Sequence, residues 1–314
     1  MNVIYHYATG PEFEQRLKSF AADGINVAVC PEADEERFFA LLEKADVLWH
    51  CLRPIDAAVL DKAPQLKLIQ KIGVGVNTID LERAKAGGIA VCNMPGTNSR
   101  AVAELTLGLM LAVLRQIRWF DEDVRMHRGW RWPAARQDRL REIHGSTIGL
   151  VGMGAVPRIL APQLEALGAR IIYHARSPKP DVSYAYRTLD DLLAACDIVS
   201  LHVPLSDSTQ QMIDERRLAL MRPGSVLINT SRGGLVDEPA LIAALDTGHL
   251  GGVGLDVFAE EPLPETHPLF GHSDAVLTPH VAWLTRETLE RSLAVALENC
   301  HRLRNGQPLL HRVA

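Results

Sequence analysis

Thr147-Ile-Gly-Leu-Val151-Gly152-Met-Gly154-Ala-Val-Pro157-Arg-Ile-Leu160 is the stretch whose reading decides the fold of this chain. A short strand-like run meets a glycine pair and passes into a helical pattern. Gly152 allows a tight turn. Gly154 lets backbone approach a pyrophosphate, which then rests on the free N–H groups at the start of the helix. A glycine pair alone is weak evidence, and the strand-to-helix setting is what gives it weight. The backbone of Gly152, Met153, Gly154, Ala155 and Val156 is therefore expected to cradle a dinucleotide. Pro157 stands at the third fingerprint position, where glycine or alanine is usual. A proline in the first helical turn forfeits no intrahelical hydrogen bond, so the helix is expected to form, with its packing on the strand as the open question.

The pattern extends in both directions. Upstream, short apolar runs at 3–7, 26–30, 46–50, 67–70 and 90–92 alternate with amphipathic stretches at 11–22 and 32–44, and Pro31 is placed where a helix start tolerates it. Downstream, strands are expected at 146–151, 170–174, 197–201, 225–229, 252–255 and 275–277, with helices between them. Strands alternating with helices argue for parallel sheets covered on both faces. A long helix starts near Asn98 or Ser99, both good N-caps; its apolar residues, from Leu105 to Leu114, go nearly all round, so it is expected to be buried. A last amphipathic helix is expected over 285–303, before Asn305-Gly306.

With 314 residues, the chain exceeds one typical domain. A 47% hydrophobic content is ample for packed cores, and a net charge of −5 gives no electrostatic case for nucleic acid or an anionic membrane. The five cysteines are scattered without CxxC or CxH spacing, which suits small buried hydrophobes of a reducing compartment and neither a disulfide frame nor a metal site. No basic or apolar leader precedes the first strand, and the 105–114 run is too short to span a bilayer, which needs about 20 residues. A cytoplasmic protein is expected.

After the second strand of the downstream series the chain reads Tyr173-His174-Ala175-Arg176-Ser177-Pro178-Lys179, with no acid until Asp181. A carboxylate here would bond an NAD ribose; arginine and serine can instead hold a 2′-phosphate. NADP(H) is the expected preference, with NAD(H) possible.

Three later segments carry reactive groups: Asn229-Thr-Ser-Arg232-Gly-Gly-Leu-Val-Asp-Glu238, Asp256-Val-Phe-Ala-Glu-Glu261-Pro, and Thr278-Pro-His280-Val-Ala-Trp283. An arginine can grip a carboxylate with two parallel hydrogen bonds. A histidine can exchange a proton near neutral pH, and a glutamate beside it favours its charged form. Singly, each is more often a solvated loop residue. In this order, downstream of the fingerprint, they resemble the D-isomer-specific, NAD(P)-dependent 2-hydroxyacid dehydrogenase family, over nearly the whole chain.

The resemblance implies two doubly wound α/β domains: a Rossmann cofactor domain, 99–284, inserted in a flavodoxin-like substrate domain made of 1–98 and 285–314. It implies that Arg232 binds the substrate carboxylate and carbonyl, that His280 is the acid/base and that Glu261 pairs with it. Further cofactor contacts are implied at His174, Arg176, Ser177, Val203, Pro204, Thr209, Thr230, Ser231, Arg232, Asp256 and His280, with the nicotinamide in an interdomain cleft. Substrate contacts are implied at Val74 and Gly75 of the loop Ile72-Gly-Val-Gly-Val-Asn77, and at Leu52 and Arg53, where this chain is bulkier and more cationic than the family's usual small hydroxyl residue. Trp283 resembles the glyoxylate/hydroxypyruvate reductase branch, and a core role for it stands equally open. The aromatics Trp119, Phe120, Trp130 and Trp132 suit either an intramolecular core or a homodimer contact through 105–132, and the resemblance favours the contact. The expected activity is NADPH-dependent reduction of small 2-oxo acids to D-2-hydroxy acids. The alternatives are an NAD-dependent relative, such as a phosphoglycerate or phosphite dehydrogenase, and a non-catalytic dinucleotide sensor of the corepressor type. Phosphite enzymes carry a lysine where this chain has Val74, and no regulatory domain is expected after 314.

Overall fold

The computed structural model describes residues 1–130 and 132–314. They divide into two compact units, 1–98 with 285–314 and 99–284. In the first unit, strands β1 (Asn2–His6), β2 (Asn26–Cys30), β3 (Val47–His50), β4 (Leu68–Lys71) and β5 (Ala90–Cys92) form one parallel sheet in the order β2-β1-β3-β4-β5. Helices α1 (Pro11–Lys18), α2 (Glu35–Leu42), α3 (Ala57–Leu60) and α4 (Leu81–Ala86) connect them. The start of α2 differs from the sequence expectation. Asp34, not Pro31, opens it, because its carboxylate accepts the Arg37 N–H and satisfies a free donor of the first turn. The stretch expected as one helix at 11–22 also breaks, turning to a 3-10 helix at Ser19–Asp23.

The second unit opens with α5 (Ser99–Leu114) and α6 (Ile117–Arg125) and continues through β6 (Thr147–Val151), α7 (Ala155–Ala166), β7 (Arg170–His174), β8 (Ala185–Tyr186), α8 (Leu189–Ala195), β9 (Ile198–Leu201), α9 (Glu215–Leu220), β10 (Ser225–Asn229), α10 (Glu238–Asp246), β11 (Leu250–Leu255) and β12 (Ala275–Leu277). Its seven strands are parallel in the order β12-β11-β10-β9-β6-β7-β8. Both units are thus doubly wound α/β sheets, the second of the dinucleotide-binding order with its topological switch between β6 and β9. β8 lies outside the strands expected from the sequence: two residues on the sheet edge carry no period. The α5 helix packs on α7, β10, β11 and β12 but is not buried all round, since Leu111 is exposed.

The last helix, α11 (Arg286–Arg304), is capped by Thr285, whose hydroxyl accepts the Thr288 N–H, and belongs to the first unit. There the buried Asn299 joins it to the sheet through Gln70 Oε1 at 2.6 Å, while its own oxygen takes the Leu310 N–H at 2.7 Å. All five cysteines are buried and free. Among the described residues, no helix is long and apolar enough to cross a membrane.

Candidate active site

At the switch point, Gly152 adopts φ +107, and a Cβ there would overlap the His202 carbonyl after β9. Only glycine satisfies both the turn and the close approach of the two strand ends. Gly154 caps α7 without any side chain, and the space its Cβ would occupy is open. No side chain caps the first-turn N–H groups of α7, which leaves free donors of the kind that suit an anionic pyrophosphate. Pro157 is buried within α7, so the helix forms and the proline ring lies in its packed face.

After β7, Ala175 is buried while Arg176 and Ser177 are exposed. The loop is closed by Tyr173 Oη, which accepts the Lys179 N–H at 2.7 Å, and by Asp181, which pairs with Arg158 of α7 at 2.7 Å. The first acid of the loop is thus already committed to a cation, and that hydrogen bond holds its carboxyl below the usual range. His174 Nδ1 lies 3.1 Å from the Arg187 carbonyl oxygen. Beyond β9, Val203 and Pro204 enter a turn fixed by Thr209, whose hydroxyl accepts the Ser206 N–H and donates to the Pro204 carbonyl, both at 2.8 Å.

The loop after β10 presents Thr230, Ser231 and Arg232. Asn229 shapes it from within, donating to the Arg232 carbonyl at 2.8 Å and accepting the Ser231 N–H at 3.0 Å. Thr230 meets Thr106 of α5 at 2.9 Å, and Ser231 donates to the Leu201 carbonyl at 2.8 Å. The Arg232 guanidinium donates to the Ser231 carbonyl at 2.6 Å. Burial draws its pKa down, against the opposing charge of Glu261.

His280 and Glu261 are joined by a 2.6 Å hydrogen bond from Nδ1 to Oε2. Glu261 is partly buried, which favours its neutral form, but the His280 contact, the Phe258 N–H and the charge of Arg232 outweigh burial and hold its carboxyl below the ordinary range. A carboxylate on Nδ1 fixes the ring proton there and directs Nε2 outward. His280 has φ 54, a conformation that non-glycine residues hold only when their surroundings enforce it.

Asp256 supplies much of that enforcement. Fully buried, it accepts Thr278 Oγ1 at 2.6 Å, Val281 N–H at 2.9 Å and Ala282 N–H at 2.9 Å. Burial pushes its carboxyl above the usual range despite these bonds. The buried Trp283 adds a further tie, donating its indole N–H to the His280 carbonyl at 3.1 Å. Neither role is legible in the sequence: Asp256 and the turn it holds are 22 to 26 residues apart, and no local signal says that they meet.

A strand, a glycine turn at a helix start, a guanidinium and a carboxylate-backed histidine in one parallel-sheet unit narrow the families this chain can join. The family model described as D-isomer specific 2-hydroxyacid dehydrogenase, NAD binding domain, matches residues 107–282. The chain belongs to that family. It is an enzyme, an NAD(P)-dependent D-2-hydroxyacid dehydrogenase. A glyoxylate reductase of Aeropyrum pernix is 40% identical over 272 residues, covering 84% of this chain and 81% of the relative. A D-3-phosphoglycerate dehydrogenase of Mycobacterium leprae is 37% identical over 86% of this chain, which spans 51% of that longer relative. The solved NADPH-dependent glyoxylate/hydroxypyruvate reductase of Sinorhizobium meliloti has a TM-score of 0.84 at 30% identity, over 100% of this chain and 97% of the other.

In the first unit of this dehydrogenase, the residues expected at the substrate are arranged around two loops. Val74 is exposed, and its carbonyl takes the Asn93 side-chain N–H at 3.0 Å; Gly75 is next to it in the same loop. Glu32 accepts the N–H groups of Leu52 and Arg53 at 2.9 and 2.7 Å, and the Arg53 guanidinium pairs with Glu35 at 3.1 Å. Much of the cationic character read at Arg53 is therefore neutralised locally. Lys71, buried at the end of β4 and donating to the Cys51 carbonyl, is a cation that no motif in the sequence marks.

Proposed function

We propose that this dehydrogenase is an NADPH-preferring reductase of small 2-oxo acids, of the glyoxylate/hydroxypyruvate type, giving D-2-hydroxy acids. The observation that carries the reading is the His280 imidazole, held at φ 54 by the turn around Asp256 and backed by Glu261 at 2.6 Å. The dinucleotide, when bound, supplies the hydride. The imidazolium Nε2 protonates the carbonyl oxygen of the 2-oxo acid, and Glu261 stabilises the charged ring before transfer. Arg232 grips the carboxylate and polarises the carbonyl. Val74, Gly75, Leu52 and Arg53 are the residues we assign to the remainder of the substrate.

The choice of NADPH is supported by the loop after β7. Ala175 offers no carboxylate to an NAD ribose, Asp181 is occupied by Arg158, and Arg176 and Ser177 are exposed where a 2′-phosphate would lie. The phosphate-binding residues are Gly152 to Val156, with His174, Val203, Pro204, Thr209, Thr230 and Ser231 completing the dinucleotide site. A cytoplasmic homodimer is also proposed. Its contact would use the 105–132 region, where Ile117, Val124, Met126 and Trp132 are exposed and Trp130 is 94% exposed; Arg131 lies outside the described residues. A sedimentation mass of one chain at micromolar concentration would remove that proposal.

A panel of 2-oxo acids assayed with NADPH and with NADH tests the function. Glyoxylate and hydroxypyruvate turned over with NADPH are the expected result. Turnover of 3-phosphohydroxypyruvate with NADH alone would assign the phosphoglycerate reading instead.

A further inference from the structure

Two carboxylates hold the chain just beyond Asp256, and one of them lies outside the acid/base pair. Phe258 N–H donates to Glu261 Oε1 at 3.0 Å, while Glu261 Oε2 takes His280 Nδ1 at 2.6 Å. The direction of the Phe258 amide thus sets the plane of the carboxylate that meets the histidine. The next peptide is fixed from a different element. Glu238, the first residue of α10, accepts the Ala259 N–H on Oε2 at 3.3 Å and meets His267 Nε2 with Oε1 at 3.1 Å.

Gly233, adjacent to Arg232, closes on the same peptide, because a Cβ there would overlap the Phe258 carbonyl and the Ala259 nitrogen. Both partners of the Glu238–His267 pair are shielded, at 15% and 12% side-chain exposure. His267 Nδ1 accepts the Leu269 N–H at 3.4 Å, so the proton of the neutral ring sits on Nε2 and points at Glu238. His267 therefore orients the carboxylate through Nε2.

We propose that Glu238 is a positioning residue for the Glu261–His280 pair. It acts by fixing the peptide between Phe258 and Ala259, with His267 orienting Glu238 in turn. The segment that begins at Arg232 thereby also sets the angle of the acid/base pair, so the group that grips substrate and the group that protonates it are held by one frame. This inference rests on the assignment of His280 and Glu261 as the acid/base pair.

The test compares the full-length enzyme with E238A, E261Q and the double variant, in NADPH-dependent reduction of glyoxylate across pH. E261Q removes the charge that favours imidazolium, so its reduction profile moves to lower pH. A misplacement of about 1 Å can cost 10²-fold in rate, so E238A should lower kcat roughly tenfold, with the KM for NADPH within about twofold of the parent. Its profile should move in the same direction as that of E261Q, by less. On the E261Q background, E238A should change kcat by less than about twofold, because the path it acts through is gone. E238Q keeps an oxygen for the Ala259 N–H while its NH2 opposes the His267 Nε2–H, so it should recover kcat in part, to a value between those of E238A and the parent.

Should E238A fail to fold, His267→Asn serves in its place. Asparagine can still cap the Leu269 N–H but falls short of Glu238, and the same direction of profile shift is expected. An unshifted profile in the variant that folds, or an effect that multiplies fully with E261Q, would overturn the proposal and leave Glu238 a structural group. A parent-like profile in E261Q itself would sink the acid/base assignment, and this inference with it.

Discussion

Replacing Asp256 by asparagine exchanges one oxygen for an NH2 group in the turn that carries His280. The native carboxylate accepts three hydrogen bonds, from Thr278, Val281 and Ala282. The single oxygen of asparagine can keep Thr278 and Val281, and its NH2 then opposes the Ala282 N–H, donor against donor. A buried donor left without an acceptor costs roughly 1–3 kcal/mol. Relief acts in the other direction: burial raises the carboxyl pKa of Asp256, so a neutral side chain is spared part of the desolvation cost. The net loss should fall at the low end, about 1 kcal/mol, or about 2–4 °C in the melting of a unit of this size.

The kinetic effect should be larger than the thermal one. His280 is held at φ 54 by the residues just beyond it, and a displacement of about 1 Å can cost 10²-fold. We expect kcat to fall about 10- to 100-fold, by steady-state assay, with the Kd of NADPH by fluorescence titration within about threefold, because positioning of the acid is lost while cofactor contacts stay. A kcat within twofold of the parent would refute the reasoning. A Kd weakened tenfold with kcat preserved would show instead that Asp256 serves the nicotinamide, as the family resemblance implies.

Three further outcomes are expected elsewhere in the molecule. Arg232→Lys keeps the charge but loses the planar fork, so kcat/KM should fall at least about tenfold; full activity would show that the fork is unused. Ala175→Asp with Arg176→Ala should reverse the cofactor preference, since each charge-assisted bond to a 2′-phosphate contributes roughly 1.5–3 kcal/mol, enough for at least a tenfold preference in the parent. Equal or better use of NADH by the unmodified enzyme would make Arg176 a bystander. His6 is fully buried against Phe38 at 3.9 Å, and burial, with the charge of Arg53 second, draws its pKa down to about 4. Below pH 6.5 the unfolded chain takes up a proton that the folded one refuses, so stability falls as pH drops from 6.5 towards 4, by about 2 kcal/mol between pH 7 and pH 5. His6→Gln should flatten that slope in urea unfolding of the first unit; an unchanged slope would remove His6 as its source.

The fold was legible where local signals and tertiary pairing agree. The strands Asn26–Cys30 and Arg170–His174 stand out because their apolar runs end at turn or cap residues, and Thr285 marks the start of α11 by its chemistry. Local rules failed where a stronger neighbour competed. Pro31 lost the start of α2 to the Asp34 cap, and the two-residue β8 exists only through pairing with β7. Leu111 is exposed although the stretch around it, from Leu105 to Leu114, is largely apolar, because burial depends on which neighbours arrive and the sequence does not name them. The same limit applied at the site. Arg232, Glu261 and His280 were readable as reactive types in motifs, whereas the bonds from Asp256 to the His280 turn and from Glu238 to Ala259 are long-range meetings with no local signature.

The central claim is that the imidazole of His280, backed by Glu261, delivers the proton. His280→Ala, assayed with glyoxylate and NADPH alongside a fluorescence titration of the cofactor, tests it most directly. We expect kcat to drop roughly 10²–10⁴-fold while the Kd of NADPH stays within about threefold. A kcat within twofold of the parent, in a variant that still binds NADPH, would contradict it.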